Sequence, residues 1–451
     1  NQLAARIGDW DGAATSGYVK ASNIDVEATN RAEIYAASGA FAFSKGASGG
    51  LAVALNLIGT DEHSTKAQIG WTDIFLTPGG TLNVSANSGT SSNDNGLTAI
   101  AIGAALSEQG LAFAGSIGVN NLDQTVDAGI KAVGMLDGAT SYRADTVNVT
   151  AADHTTSEGF GFMGAGADNG MAAAIGVSTN RLHSTVTAEL LGGGRGATFN
   201  AGNLVLDAGR DDTLVTVDAG AAGAGYGLAG AGSVGTNVTS GTVTAQIADS
   251  AKVDAENNVT VSAQSSTFSA VGGGAVGLGT GSGAAVGALV VSTAVDSGTT
   301  QALIDGSTVT ARGDAGTATV RTGQLASGPA MPDLSSGGSG VDRDALSQSF
   351  EDQALSEGTQ QVSGIVVNAT SYEKLRVIDV AGAATAGAAA GAIDVATNDF
   401  EGSTKARITG STINATTNGA GGDNVTVRAS DHSMGLAISA GLAGAMAGGG
   451  V

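Results

Sequence analysis

Apolar and polar residues alternate along most of this chain, and the alternation returns in phrases. The first phrase is Ala-x-Ile, at Ala5-Arg6-Ile7, Ala67-Gln68-Ile69, Ala128-Gly129-Ile130, Ala245-Gln246-Ile247, Ala302-Leu303-Ile304 and Ala406-Arg407-Ile408, with a leucine version at Ala188-Glu189-Leu190. Its apolar anchors lie 62, 61, 60, 57, 57 and then 104 residues apart, by subtraction of those numbers. A second phrase, apolar-x-Val-x-Ala, follows each first one. It reads Ile24-Asp25-Val26-Glu27-Ala28, then recurs at 82–86, 147–151, 204–208 (with Leu206 at the centre), 259–263 and 425–429. Between them sits a shorter phrase, as in Ser250 to Ala255, Ser307 to Ala311 and Ser411 to Ala415. Alternation over five positions is the mark of a half-buried strand, because successive side chains point to opposite faces. Asn, Gly and Asp ahead of these runs supply turns, as at Glu256-Asn257-Asn258 and Ala420-Gly421-Gly422-Asp423.

The third recurring feature is a Gly/Ala block, clearest over 159–174, 219–235, 272–287 and 381–392. Each ends in an alternating apolar phrase such as Ala288-Leu289-Val290-Val291-Ser292. Flexible linkers are Ser/Gly-rich and lack regularly placed Val and Leu, so these blocks read as paired strands with small inner faces. One repeat of about 60 residues therefore predicts strand, turn, strand, turn, strand, a Ser/Thr stretch and Gly/Ala strands.

The predicted fold is all-β: an elongated repeat β-solenoid (β-helix). Tandem β-sandwich or β-prism modules in a fibre are the alternative. A solenoid coil commonly takes about 20 residues, so a repeat would hold about three coils. At about 4.8 Å per coil the chain would reach on the order of 100 Å. The β repeat array is expected over 1–322 and again over 364–451. The block starting at Gly435 stops without its following phrase, so the array is expected to be truncated within a repeat. The 104-residue spacing places an insertion at 323–363, which carries Pro329, Pro332 and the polar run Ser335 to Gly340. Within it Leu346, Phe350 and Ala354 share one helical face, with Asp342 or Asp344 as cap and Gly358 as stop. A loop with a short helix is predicted there, as a surface insertion or an edge cover.

Composition sharpens this picture. Glycine reaches 73 of 451 residues while proline numbers 3, which excludes collagen and Pro-rich disorder. Hydrophobic residues make up 42% and aromatics 4%, so a core exists and must be built from Val, Ile, Leu and Ala. Lys and Arg total 19 against 41 Asp and Glu, a formal charge of −22, which excludes nucleic acid as a partner. No stretch reads as a membrane span. The acid excess could hold Ca2+ weakly, but no metal site is assigned, and no cofactor is expected. There is no cysteine, hence neither disulfides nor thiolate metal sites.

Little in the sequence points to catalysis. His63, His154, His183 and His432 are far apart, in no metal-ligand spacing, and read as solvated strand-end residues. Gly337-Gly338-Ser339-Gly340-Val341-Asp342 resembles the opening of a calcium-binding nonapeptide, but occurs once and has Asp344 where a large apolar residue belongs. Asn-x-Ser/Thr at Asn83, Asn148, Asn237, Asn258, Asn368, Asn414 and Asn424 reads as repeat turns. Trp10 and Trp71 read as rim or core residues. Polysaccharide-active β-helical enzymes gather Asp, Lys, Arg and His in one groove, and here cations are scarce. No catalytic or cofactor-binding residue is assigned, and the chain reads as a non-enzyme.

The repeated Ala-x-Ile, Ser-x-Val-x-Ala, Val-x-Val-x-Ala and Gly/Ala phrases resemble the repeat regions of large bacterial secreted adhesins of the filamentous-haemagglutinin and leukotoxin-type filamentous group. That resemblance implies a β-solenoid, export to the bacterial cell surface or beyond, and attachment or cell contact. The expected partner is a receptor or glycan on a host cell, a neighbouring cell or the matrix. A homo-oligomer or self-assembling extracellular filament is the alternative.

Overall fold

A computed structural model describes residues 2–11, 17–59, 63–89, 95–133, 144–194, 196–313, 317–325, 357–414 and 424–446. All elements among them are β-strands, and eighteen join one sheet whose pairings are parallel. Each strand's partner lies one repeat away. The anchors meet in register as Ile7–Ile69, Ile69–Ile130, Ile130–Leu190, Leu190–Ile247, Ile247–Ile304 and Ile304–Ile408. The second phrase stacks likewise, through Val26, Val84, Val149, Leu206, Val261, Val367 and Val427.

This register corrects two expectations. A repeat adds a single layer, or rung, so the estimate of three coils per repeat does not hold. Seven rungs at about 4.8 Å span about 34 Å along the stack, rather than 100 Å. The repeats also share one sheet, which separate sandwich modules would not do.

Within a rung the chain visits five stations, and equivalent stations form columns down the stack. The anchor column begins with Gln2–Gly8 and Ser64–Gly70. The short column includes Lys252–Ala255, Thr308–Ala311 and Thr412–Asn414. The middle column begins with Ile24–Asn30 and Thr81–Ser88. These three surround a dry core of Val, Ile, Leu and Ala, in which Ile69, Leu82, Val149, Leu206, Val261 and Ile304 are fully buried. Matching side chains sit above one another, so each is covered by its copies in neighbouring rungs.

The chain then leaves this core as an outgoing column, starting with Glu33–Ser44, and comes back as a returning column, starting with Ser48–Ile58. The two columns pack face to face as a thin arm. Its inner faces are small, with Ala105, Ala114, Ala165, Ala174, Ala222 and Ala231 among the buried residues. The Gly/Ala blocks thus fold into paired strands as their alternation predicted. Glycine is required at the tip, where Gly110, Gly170 and Gly227 take positive φ (+111, +153 and +122) and stack in register. A Cβ on Gly227 would stand 2.1 Å from the Gly170 carbonyl oxygen.

The long anchor spacing marks an excursion between the short and middle columns. Ala318–Leu325 and Glu357–Val362 form an antiparallel pair outside the main sheet. The predicted helix mostly lies outside the described residues, and its proposed stop, Gly358, is in a strand. The pair starts before 323, so the excursion is longer than the boundary read from sequence. The calcium-nonapeptide match at 337–342 also lies outside the described residues.

Candidate functional site

Polar chemistry concentrates inside the arm and at its base, where it meets the three-sided core. Along the returning column one inward position is asparagine in four consecutive rungs. Asn56 Nδ2 donates to Asn120 Oδ1 (2.8 Å), Asn120 Nδ2 to Asn180 Oδ1 (2.8 Å) and Asn180 Nδ2 to Asn237 Oδ1 (3.0 Å). The same amides reach backbone carbonyls of the facing column, at Thr98 (2.7 Å), Glu158 (2.7 Å) and Val215 (2.8 Å). Asn120, Asn180 and Asn237 have no exposed surface. A primary amide suits this position because it both donates and accepts, so each side chain satisfies the next. The ladder ends at Ala294, the next residue in register, beside Val271, Leu375 and Val377.

One level closer to the core the spine turns ionic. Asn95 donates to Ser88 (2.7 Å), Ser88 to Gln124 (3.0 Å), Gln124 to Thr155 (3.1 Å) and Thr155 to the Asp153 carboxylate (3.0 Å), which also accepts from Ser184. In the next rung the register partner of Asp153 is Arg210. Its Nε lies 3.2 Å from Asp212 Oδ2, its Nη2 donates to Ser265 Oγ (2.9 Å), and its Nη1 to the Ser240 carbonyl (3.0 Å). Asp296 stands 4.0 Å from Nη2 and accepts the Gly298 amide at 2.9 Å. Room for the guanidinium comes from Gly298, whose Cβ would fall 2.5 Å from Nη2.

Three carboxylates, Asp153, Asp212 and Asp296, therefore surround one buried cation, and Glu373 stands next to Asp296. Burial pushes Asp153 up, despite hydrogen bonds from Ser184 and Thr155, and pushes Asp212 far up against the pull of Arg210. Glu373, which accepts from Ser371 (3.2 Å) and Ser433 (3.1 Å), rises to about 7, by burial first and by Asp296 and Asp431 after it. Inside the arm Asp218 rises to about 7 and Asp379 to about 6, both mainly by burial, each accepting from a serine. These groups accept hydrogen bonds inside the sheet. Among the described residues no group of three or more His, Cys, Asp or Glu is arranged to hold a metal ion.

The histidines are not brought together. His63 is buried rather than solvated and lies 3.1 Å from Asn30 Nδ2, while His183 meets Ser240 at 3.0 Å and His432 stacks on Tyr372. His154 lies 3.8 Å from Asp211. Trp10 covers Gly129 and sits under the Lys131 ammonium, a rim position, while Trp71 lies at a strand junction with φ +46. The turn reading of the Asn-x-Ser/Thr positions holds for Asn258, which accepts the Gly364 amide (2.8 Å), and for Asn424 ahead of Val425–Ala445. Asn83, Asn148, Asn368 and Asn414 are instead within strands, and Asn237 is sealed inside the arm, out of reach of any modifying enzyme.

Large apolar side chains are exposed on the outside of the arm. Phe41, Phe43, Leu51, Leu55, Tyr226 and Ile393 are each exposed. The sequence pattern carried this signal, since blocks such as 268–295 contain no charge, yet place large apolar residues on both parities. No helix of the described residues is long and apolar enough to cross a membrane. No protein-family model, curated protein or solved structure matches the chain.

Proposed function

We propose that the chain is a β-solenoid of one circuit per repeat, serving as a structural and adhesive rod of an extracellular bacterial protein that mediates surface attachment or cell contact. The observation that carries this reading is the unbroken register of the seven anchors from Ile7 to Ile408. A stack in which every layer hydrogen-bonds to the next and shares its core is stiff along its axis, which suits a spacer that holds a receptor- or glycan-binding part away from a surface. Its chemistry fits that role: charged groups are used inside the sheet for satisfaction, and the acidic balance keeps the rod soluble. Freedom from cysteine suits export in a form that needs no oxidative folding.

Electron microscopy of the purified chain tests the rod, and adhesion of cells displaying it against cells displaying a scrambled-repeat control tests attachment. Flexible beads, or equal adhesion by both cell types, would sink the reading. A self-assembling extracellular filament is the second reading, favoured by the large apolar side chains exposed on the arm, such as Phe41, Leu55 and Ile393. Regular fibres in the same micrographs would select it.

A further inference from the structure

The outward face of the returning column is an unusual surface for a chain of this charge. It is built from six strands, those at 48–58, 112–122, 172–182, 229–239, 286–296 and 390–400, in parallel register. Five outward levels run from tip to base, and charge appears only at the base level, on Arg181 and Asp399. Near the tip Ala173, Gly230, Gly287 and Gly391 line up across four rungs and form a furrow of about 530 Å³. Beside it stands a ridge carrying Leu51, Ile175, Leu289 and Ile393, exposed at 56%, 49%, 44% and 62%.

We propose that this face is a self-association surface, on which a second copy of the chain packs back to back through the same face. The inference rests on the stacked-rung reading and supplies its partner. Charge favours this occupant: with a formal −22 per chain, two copies can approach closely only where carboxylates are sparse, and four of the five outward levels of this face carry no charge. A polyanion or an anionic membrane would meet the same repulsion, with Arg181 as the cation on the face to offset it. Area favours it as well. Six strands about 4.8 Å apart, eleven residues long at about 3.3 Å each, cover about 1,000 Å² per copy, above the roughly 800 Å² per partner of a stable interface. Periodicity then selects the partner. The strands repeat every rung, so a surface that fits over six rungs must have the same spacing, and another such stack has it. A two-fold axis lying between the two faces and parallel to them brings one copy's face onto the other's at the spacing of about 10 Å usual for stacked sheets.

Sedimentation of the whole chain in the micromolar range should show a dimer. Val234→Glu, at the centre of the face, should weaken association at least about a hundredfold, since a carboxylate would be buried against its own copy. Ile102→Glu, on the opposite face of the arm, should leave it unchanged. Because the chain has no cysteine, Val234→Cys should give a disulfide-linked dimer on oxidation, a readout that does not depend on the glutamate variant folding. A native monomer throughout the micromolar range overturns the proposal. So does a dimer that survives Val234→Glu but is dissolved by Ile102→Glu, or a chain whose face is instead covered by detergent or neutral lipid vesicles. None of these outcomes bears on the rod expected in micrographs, so this inference can fail while the rod reading stands.

Discussion

Replacing Asn180 by alanine should remove the centre of the buried amide ladder. Asn180 accepts from Asn120 Nδ2 (2.8 Å) and Ser157 Oγ (3.1 Å), and its own amide serves the Val215 carbonyl (2.8 Å) and Asn237 (3.0 Å). After truncation the Ser157 hydroxyl and the Val215 carbonyl lose partners in a site with no exposed surface. Asn120 keeps the Glu158 carbonyl and Asn237 keeps the Thr216 hydroxyl (2.5 Å), so those two are damaged less. Leaving a buried polar group unpaired costs about 1–3 kcal/mol, so two such groups make about 2–6 kcal/mol. Asn56→Ala, at the ladder's end, takes a donor from Asn120 Oδ1 and from the Thr98 carbonyl, so it too should be destabilising, by about 1–3 kcal/mol for each group left unpaired. Urea unfolding followed by circular dichroism, with the slope checked for constancy, measures both. A loss below about 0.5 kcal/mol for Asn180→Ala would refute the claim that the ladder acts as a connected network. The native Ala294 interrupts the ladder: its register partner in the next rung is Asn398, whose amide reaches the Leu375 carbonyl (3.3 Å).

Three further outcomes are expected. Arg210→Met should cost about 3–5 kcal/mol by stranding Asp212 and Asp296 in the interior, and less as the pH is lowered, because burial already pushes the Asp212 carboxyl up toward its neutral form; melting curves at neutral and acidic pH check it. For Glu373 the folded-state value is raised from 4.5 to about 7, so the folded chain binds the proton more tightly than the unfolded chain does. Its stabilising contribution is full below pH about 4.5 and is lost as pH rises through about 7; Glu373→Gln should flatten that part of the stability–pH curve, and an unchanged curve would contradict the assignment. Gly227→Ala should lower stability by more than about 1 kcal/mol, because alanine pays for the φ of +122° and its Cβ meets the Gly170 carbonyl, whereas Gly230→Ala, with open space at its Cβ, should change it by less. Thermal melts of the two variants settle that comparison.

Much of the architecture is set by local pattern. Alternation in Val259-Thr260-Val261-Ser262-Ala263 makes a strand and chooses its buried face, since the side-chain period of a strand is two. The recurrence of Ala-x-Ile at about 60 residues identifies equivalent positions, and all seven anchors meet in the sheet. What alternation cannot specify is which strand lies beside which: a coil of 20 residues and a circuit of about 60 present the same apolar-polar order. Pairing is a long-range choice, decided by stacking like side chains on like. The polar interior was hidden for a related reason. Arg210, Asp212, Asp153 and Glu373 sit in alternating strands, and a single chain does not reveal that the arm folds back over one parity and seals it. Their burial, their raised carboxyl values and the glycines that make room for them exist only once two columns face each other. The sequence alone therefore determined the strands, their faces and the repeat, while the tertiary structure decided the neighbours, the arm and the enclosed charge, because burial is a property of what lies opposite and not of what comes next along the chain.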